Sequence, residues 1–188
     1  MHPCTLETMT DDEIIYGCIA NNRVAQKKLF DKFSRRMMGI CQRYTENNDE
    51  AKDFLQDGFI RVYESIKTYS GGGSLQSWIR SVMINAILDT IRKSKDFRAA
   101  LEYNDEQWVP QSEEQISGIV HAKDLLDKIK SLPQGYRVVF NLYAIEGYSH
   151  KEIADILKID INTSKSQYSR AKSLLQKMLQ PETENAIQ

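Results

Sequence analysis

Glycine and proline are scarce, at 9 and 4 of 188 residues, so long stretches of chain carry no helix breaker. No run approaches the roughly 20 apolar residues that cross a bilayer. The N-terminal MHPCTLETMTDDE lacks the basic-then-apolar pattern of a targeting segment. The chain is therefore expected to work in the cytoplasm, without membrane insertion. Cysteine is limited to Cys4, Cys18 and Cys41, an odd number with no CxxC and no histidine at ligand spacing. A disulfide framework or zinc site is not expected, nor is any other metal or cofactor. GxSxG, HExxH and Walker patterns are missing, and His2, His121 and His150 have no evident partners. No catalytic residue is assigned, and His150, inside a capping turn, is expected at the surface. An excess of one charge is missing too. Lys and Arg number 25 against 26 Asp and Glu, a net of -1, which argues against a generic polyanion binder until the distribution is considered.

What is present is helical periodicity, in a chain long enough for one large domain or two small ones. Thr10-Asp11-Asp12-Glu13 reads as a capping box ahead of Ile14, Ile15, Cys18 and Ile19. A second helix is predicted over about 22–45, with the stripe Leu29, Phe30, Phe33, Met37, Ile40, Cys41 and Tyr44. A third, over about 49–68, repeats the pattern with Phe54, Leu55, Phe59, Val62, Tyr63 and Ile66 until Gly71-Gly72-Gly73 breaks it. A fourth runs from about Ser74 to Lys95. These four should form one bundle.

Residues 99–118 lose the helical period and carry Glu102, Asp105, Glu106, Glu113 and Glu114 with no Lys or Arg, as an acidic linker would. Helical spacing resumes from Ile119. Ser149-His150-Lys151-Glu152 is a second capping box, opening a short helix with Ile153, Ala154, Ile156 and Leu157 facing inward. Asp160–Asn162 is the expected turn. The next helix carries Tyr168, Ala171, Leu175 and Met178 on one side, with donors at Lys165, Gln167, Arg170, Lys172 and Lys177. From Thr163 to Leu179 there are four positive charges and no acid. A short helix, a turn and a donor-rich second helix make a helix-turn-helix, whose second helix enters a major groove. Ala154 suits a close crossing of the two. The same pattern also fits a plain amphipathic pair with a solvated basic face.

Several collinear stretches resemble a family. Asn48-Asp49-Glu50-Ala51-Lys52-Asp53-Phe54-Leu55-Gln56-Asp57-Gly58-Phe59-Ile60-Arg61-Val62-Tyr63 is similar to the acidic signature of bacterial sigma factors. Leu75-Gln76-Ser77-Trp78-Ile79-Arg80 through Asn85 to Asp89 looks like their tryptophan-bearing segment. Leu132-Pro133, Tyr136 to Phe140, Glu146-Gly147-Tyr148-Ser149 and Glu152-Ile153-Ala154 look like their second helical domain. Two domains joined by a short linker match the extracytoplasmic-function (ECF) group of the sigma-70 family.

The resemblance implies an all-α, non-catalytic promoter-specificity factor. Residues 1–98 would be sigma domain 2, 99–118 the linker, and 119–188 sigma domain 4 with the helix-turn-helix. Its partners would be core RNA polymerase, promoter DNA (single-stranded at -10, duplex at -35) and an anti-sigma factor. Asp49, Glu50, Asp53, Gln56 and Asp57 fall at the family's polymerase-docking position; a solvated acidic face is the plainer reading. Around the fourth helix, Arg80, Arg92, Lys93, Lys95 and Arg98 outnumber Asp89 and Asp96, favouring phosphate contacts. Ser74, Gln76, Ser77 and Asn85 beside Tyr69 and Trp78 offer donors and stacking faces for an unpaired strand. The family receives a flipped base in the loop that is Tyr69–Leu75 here. Trp78 fits equally a core position and a DNA wedge. Thr163, Lys165, Ser166, Gln167, Ser169, Arg170 and Lys172 would meet the -35 element. The chain departs from the common pattern at Gln167, Asn162 and Ser164, where many members carry Arg, Gly and Val; glutamine pairs with adenine where arginine prefers guanine, so the promoter read may differ. The acidic linker suits either a segment threaded through a basic polymerase channel or a solvated tether. An autonomous helix-turn-helix regulator is the competing class, and it has no use for the acidic third helix.

Overall fold

The computed structural model describes residues 9–94, 97 and 122–179. The 99–118 linker, with Lys95, Asp96 and Arg98, lies outside them. Among the described residues there are helices and no strand. They form two compact units, residues 9–41 with 48–89, and residues 42–47 with 90–94, 97 and 122–179.

In the first unit α1 (Asp11–Ile19) starts at the expected capping box: Thr10 Oγ1 accepts from the Glu13 amide, and the Glu13 carboxylate accepts from the Thr10 amide at 2.7 Å. Asn21 takes a positive φ of 56°, and the Asn22 carboxamide oxygen accepts from the Val24 and Ala25 amides, restarting the chain as α2 (Arg23–Tyr44). A Cβ on Gly17 would lie 2.4 Å from the Ala25 Cβ, so glycine is what lets α1 and α2 meet closely. α3 (Asn48–Ser65) ends in a 3-10 turn, Ile66–Thr68, before the glycine loop, and α4 (Leu75–Lys93) follows. Gly58 of α3 faces the Met83 sulfur of α4, where a Cβ would fit only if the flexible Met83 side chain moved aside. The predicted stripes are buried except for half-buried Ile15 and Tyr63 and for Ile19 and Phe30, exposed at 46% and 37%.

The second unit is built from shorter pieces: α5 (Ala122–Lys130), α6 (Gln134–Phe140), a π turn over Asn141–Ile145, α7 (His150–Leu157) and α8 (Ile161–Leu179). Pro133 caps α6. Ile129 and Leu132 pack on Ala171 and Leu175 of α8. Buried Arg137 donates to the Leu132 carbonyl at 3.1 Å and to the Lys130 carbonyl, tying the α5–α6 corner. Ser149 and Glu152 form the second capping box as expected. The turn between α7 and α8 lies earlier than expected: Lys158 closes α7 with a φ of 58°, and the Asp160 carboxylate accepts from the Asn162 amide at 2.7 Å inside the first turn of α8. The left-handed Lys158 carries no glycine or asparagine to announce it in sequence.

Candidate nucleic-acid interface

On α3, Asp53, Gln56 and Asp57 are exposed, Glu50 is partly buried, and Asp49 accepts from Lys52 Nζ at 2.7 Å. The Lys52 ammonium, through hydrogen bond and charge, holds Asp49 below the usual carboxylate range. Beside these acids lies something the periodicity hid. Phe30 of α2 and Leu55, Phe59, Ile60 and Tyr63 of α3 wall an apolar groove of about 400 Å³, with Lys52 and Gln56 at its rim. Ile60 is 46% exposed, so apolar and acidic surface adjoin on one helix. The signal was available in sequence: Phe30 and Ile60 each sit one position beyond the stripe that fills the core.

The glycine loop has a defined shape. Gly71 takes a φ of +78°, and the Tyr69 hydroxyl donates to the Gly73 carbonyl at 2.6 Å, folding the ring over the loop. Tyr69 and Trp78 lie with ring centroids 5.7 Å apart, tilted by 58°. Trp78 is half-buried, its ring part of the wall and partly open. Ser74 caps α4, its Oγ accepting from the Ser77 amide at 3.1 Å. The two serines expected to contact DNA thus engage each other, with Oγ atoms 2.8 Å apart. Gln76 accepts through its carboxamide oxygen from Arg36 of α2, a neighbour sequence reasoning did not find. Ser77 and Asn85 are exposed two turns apart on α4; Arg80 is half-buried, and Arg92 and Lys93 form the last turn.

In the helix-turn-helix, Lys165 is exposed, while Thr163, Ser166, Ser169, Arg170 and Lys172 are half-buried. The Ser166 hydroxyl donates to the Thr163 carbonyl at 3.0 Å. Gln167 corrects an expectation. Its side chain is 1% exposed and its Oε1 has no hydrogen-bond partner, so it does not present a base-reading edge in this conformation. Ser164, Gln167, Ala171 and Leu175 are the buried stripe of α8. Extending Ala171 and Leu175 backward by helical steps would have predicted this. His150 is the second correction. It begins the capped helix as expected, but its ring is half-buried against Tyr143, and its Nδ1 lies 2.9 Å from the Ser164 Oγ.

A glycine loop flanked by Tyr69 and Trp78 beside a helix with exposed polar side chains, and a helix-turn-helix in a separate unit, make a two-module all-helical protein among the described residues. The sequence pattern of sigma-70 region 2 matches residues 29–97, and that of sigma-70 region 4 matches residues 122–175. The chain is 23% identical to the ECF RNA polymerase sigma-E factor of Haemophilus influenzae, over 93% of this chain and 98% of that protein. It is 28% identical to the ECF sigma factor SigW of Bacillus subtilis, over 80% of this chain and 87% of that one. Its fold resembles that of the sigma factor RpoE in complex with the anti-sigma factor NepR from Bartonella quintana, with a TM-score of 0.50 and 21% identity over 83% of this chain and 97% of that one. The chain belongs to the ECF group of the sigma-70 family, and is a sigma factor of transcription initiation. The family comprises regulatory initiation factors, not enzymes. No helix among the described residues is long and apolar enough to cross a membrane.

Proposed function

We propose that the chain binds core RNA polymerase through α3, opens the -10 element with the loop and outer face of α4, and reads the -35 duplex with α8. The observation that carries this reading is the pairing, on one helix, of exposed Asp53 and Asp57 with the apolar groove beside Phe59 and Ile60. Apolar area supplies attraction without direction, and the neighbouring carboxylates supply orientation and a preference for a basic partner. A repressor that met only duplex DNA would gain nothing from acids there.

At the -10 element, Tyr69 and Trp78 offer ring faces to a base unstacked from the nontemplate strand, and exposed Ser77 and Asn85 offer donors. At the -35 element, exposed Lys165 with Arg170 and Lys172 supplies phosphate attraction, and Thr163, Ser166 and Ser169 line the same helix. By likeness to sigma factors seen with anti-sigma partners, this chain is held inactive by such a protein in the cytoplasm.

Run-off transcription with core polymerase on a promoter library is the test. The wild-type chain should select defined promoters, and reversing Asp53 and Asp57 to lysine should cut polymerase capture by more than about tenfold, the scale of lost charged contacts at a docking face. Unchanged capture would remove the α3 assignment. Tight binding to promoter duplex without polymerase would favour an autonomous regulator.

A further inference from the structure

Four rings meet where the second unit's short helices converge. Tyr143 of the π turn stacks on His150, with centroids 4.3 Å apart and planes 14° from parallel. Tyr168 of α8 leans on both, 4.4 Å from Tyr143 and 5.9 Å from His150, and stacks on Phe140 of α6 at 6.1 Å. Inside this cluster the His150 Nδ1 meets the Oγ of Ser164, which is fully buried in the first turns of α8. A buried hydroxyl needs a partner, and the imidazole supplies one from the opposite helix.

We infer that His150 is a positioning residue for -35 recognition: its uncharged imidazole, held among Tyr143 and Tyr168 and bonded to Ser164, sets the angle at which α8 leaves α7 and so where Thr163, Lys165 and Ser166 meet DNA. The inference rests on the -35 reading proposed above. The reasoning is geometric. α7 has only 8 residues and buries Ile153, Ala154 and Leu157, a small, non-directional contact. The bond to Ser164 is directional and lies one residue from Lys165, so loosening it moves the donor-bearing turn itself.

The charge state matters to the same contact. Burial first, and the Lys165 ammonium second, push the imidazole below its ordinary value. The other titratable groups around it are Tyr143 and Tyr168, whose rings touch it, and Lys151 and Glu152 on its own helix; the Glu152 carboxylate is turned back onto the Ser149 amide and hydroxyl, at 2.8 and 2.7 Å. A proton taken up here sits at the positive end of α7 and beside Lys165, so acid weakens the contact.

The experiment uses holoenzyme formed with the full chain, on the promoter selected by the wild type, with its -35 element intact or scrambled. His150→Phe keeps a ring in the stack but leaves the Ser164 hydroxyl without its partner. The preference for the intact element should fall about tenfold, the scale of one buried hydrogen bond unmade, with polymerase capture unchanged. Adding Ser164→Val, which removes the stranded hydroxyl, should restore the stability of the second unit but not the preference, because the directional bond is still missing. Wild-type preference should also decline from about pH 7.5 to about pH 5.5, in step with the His150 imidazole resonance followed by NMR in the free chain, while the double variant stays flat. A double variant that regains the wild-type preference, or pH profiles that coincide, would overturn the inference. Failure of the wild type to select any promoter would instead overturn the proposed function.

Discussion

In the first unit every buried side chain among the described residues is apolar, whereas the second buries Thr45, Arg137, Asn141, Ser164 and Gln167 among its hydrophobic residues. The helices differ in the same sense. α2, α3 and α4 have 22, 18 and 19 residues, enough for continuous stripes that interlock over several turns. α6 and α7 have 7 and 8. A two-turn helix has too few apolar contacts to fix its own angle, because hydrophobic burial is non-directional. The second unit supplies the missing direction with hydrogen bonds: Arg137 to the end of α5, Asn141 Nδ2 to the Arg137 carbonyl at 2.9 Å, and Ser164 to His150. Long helices can be oriented by shape, and short ones need polar pins.

The contrast is most exposed at Arg137. Its replacement by alanine leaves the Leu132 and Lys130 carbonyls without this donor and opens a void at 2% exposure, which should cost the second unit about 3 kcal/mol. Hydrogen exchange read separately on α5–α8 and α1–α4 is the check. Faster exchange confined to α5–α8 is expected, and an equal effect on α1–α4 would mean that the units do not draw on separate cores.

The counterpart in the first unit is a matter of shape alone. Gly17→Ala sets a Cβ 2.4 Å from the Ala25 Cβ, which has no flexible end to move aside, so α1 must shift from α2. Overpacking of this kind should cost about 2 kcal/mol even after the gain in helix propensity. Gly58→Ala should cost less, since the crowded atoms are the Met83 sulfur and methyl, which can swing. If thermal unfolding ranks the two the other way, close approach of α1 and α2 is not what Gly17 serves.

Much of this arrangement is legible in sequence, and the reasons for the rest are specific. Both capping boxes could be read because they are local: Thr10 with Glu13 and Ser149 with Glu152 need only a spacing of three. The long stripes of α2–α4 could be read because their period repeats. Ile19 and Phe30 were placed in core stripes yet lie exposed, because apolar character predicts burial in one direction only. In the second unit the core itself contains polar residues, so polarity ceases to mark the surface. Gln167 was taken for a base reader as a donor on the second helix, and His150 for a surface residue because it opens a capped turn. The π turn at Asn141–Ile145 and the left-handed Lys158 follow from tertiary packing and leave no local mark.

Gln167 gives a smaller and opposite effect to Arg137. Its Oε1 is buried without a hydrogen-bond partner, so Gln167→Met, close in volume, should stabilise the second unit by about 1 kcal/mol. Promoter selection by the variant holoenzyme should keep the wild-type -35 preference. A changed preference would mean that the side chain swings out to read a base on binding, and that the burial seen here belongs to the free chain.

The smallest expected difference between the units is in their response to pH, and its sign can be worked out group by group. His150 is held below 6.5, so the fold favours its neutral form. Its penalty is absent well above pH 6.5, grows as pH falls below that value, and levels off once the folded group is also protonated. The described part of the first unit has no histidine, so between about pH 6.5 and 5 acid should loosen α5–α8 and leave α1–α4 unchanged. Further down, the two units converge. Glu13 is held below 4.5 chiefly by the Thr10 amide, and Glu152 by the Ser149 hydroxyl and then its amide. Each cap contributes above pH 4.5 and is lost as pH falls through the lowered value, on exposed carboxylates where solvent keeps the effect small. On the alkaline side the first unit has the larger marker, because burial pushes the Tyr63 hydroxyl up to about 12 while it donates to the Gln26 carbonyl at 3.0 Å. Above about pH 10 the unfolded chain gains by ionising that phenol and the folded one does not, so α1–α4 should loosen there. Hydrogen exchange corrected for its intrinsic pH dependence would follow all three windows in one series. Parallel loss in both units between pH 6.5 and 5 would show that His150 does not carry the acid response.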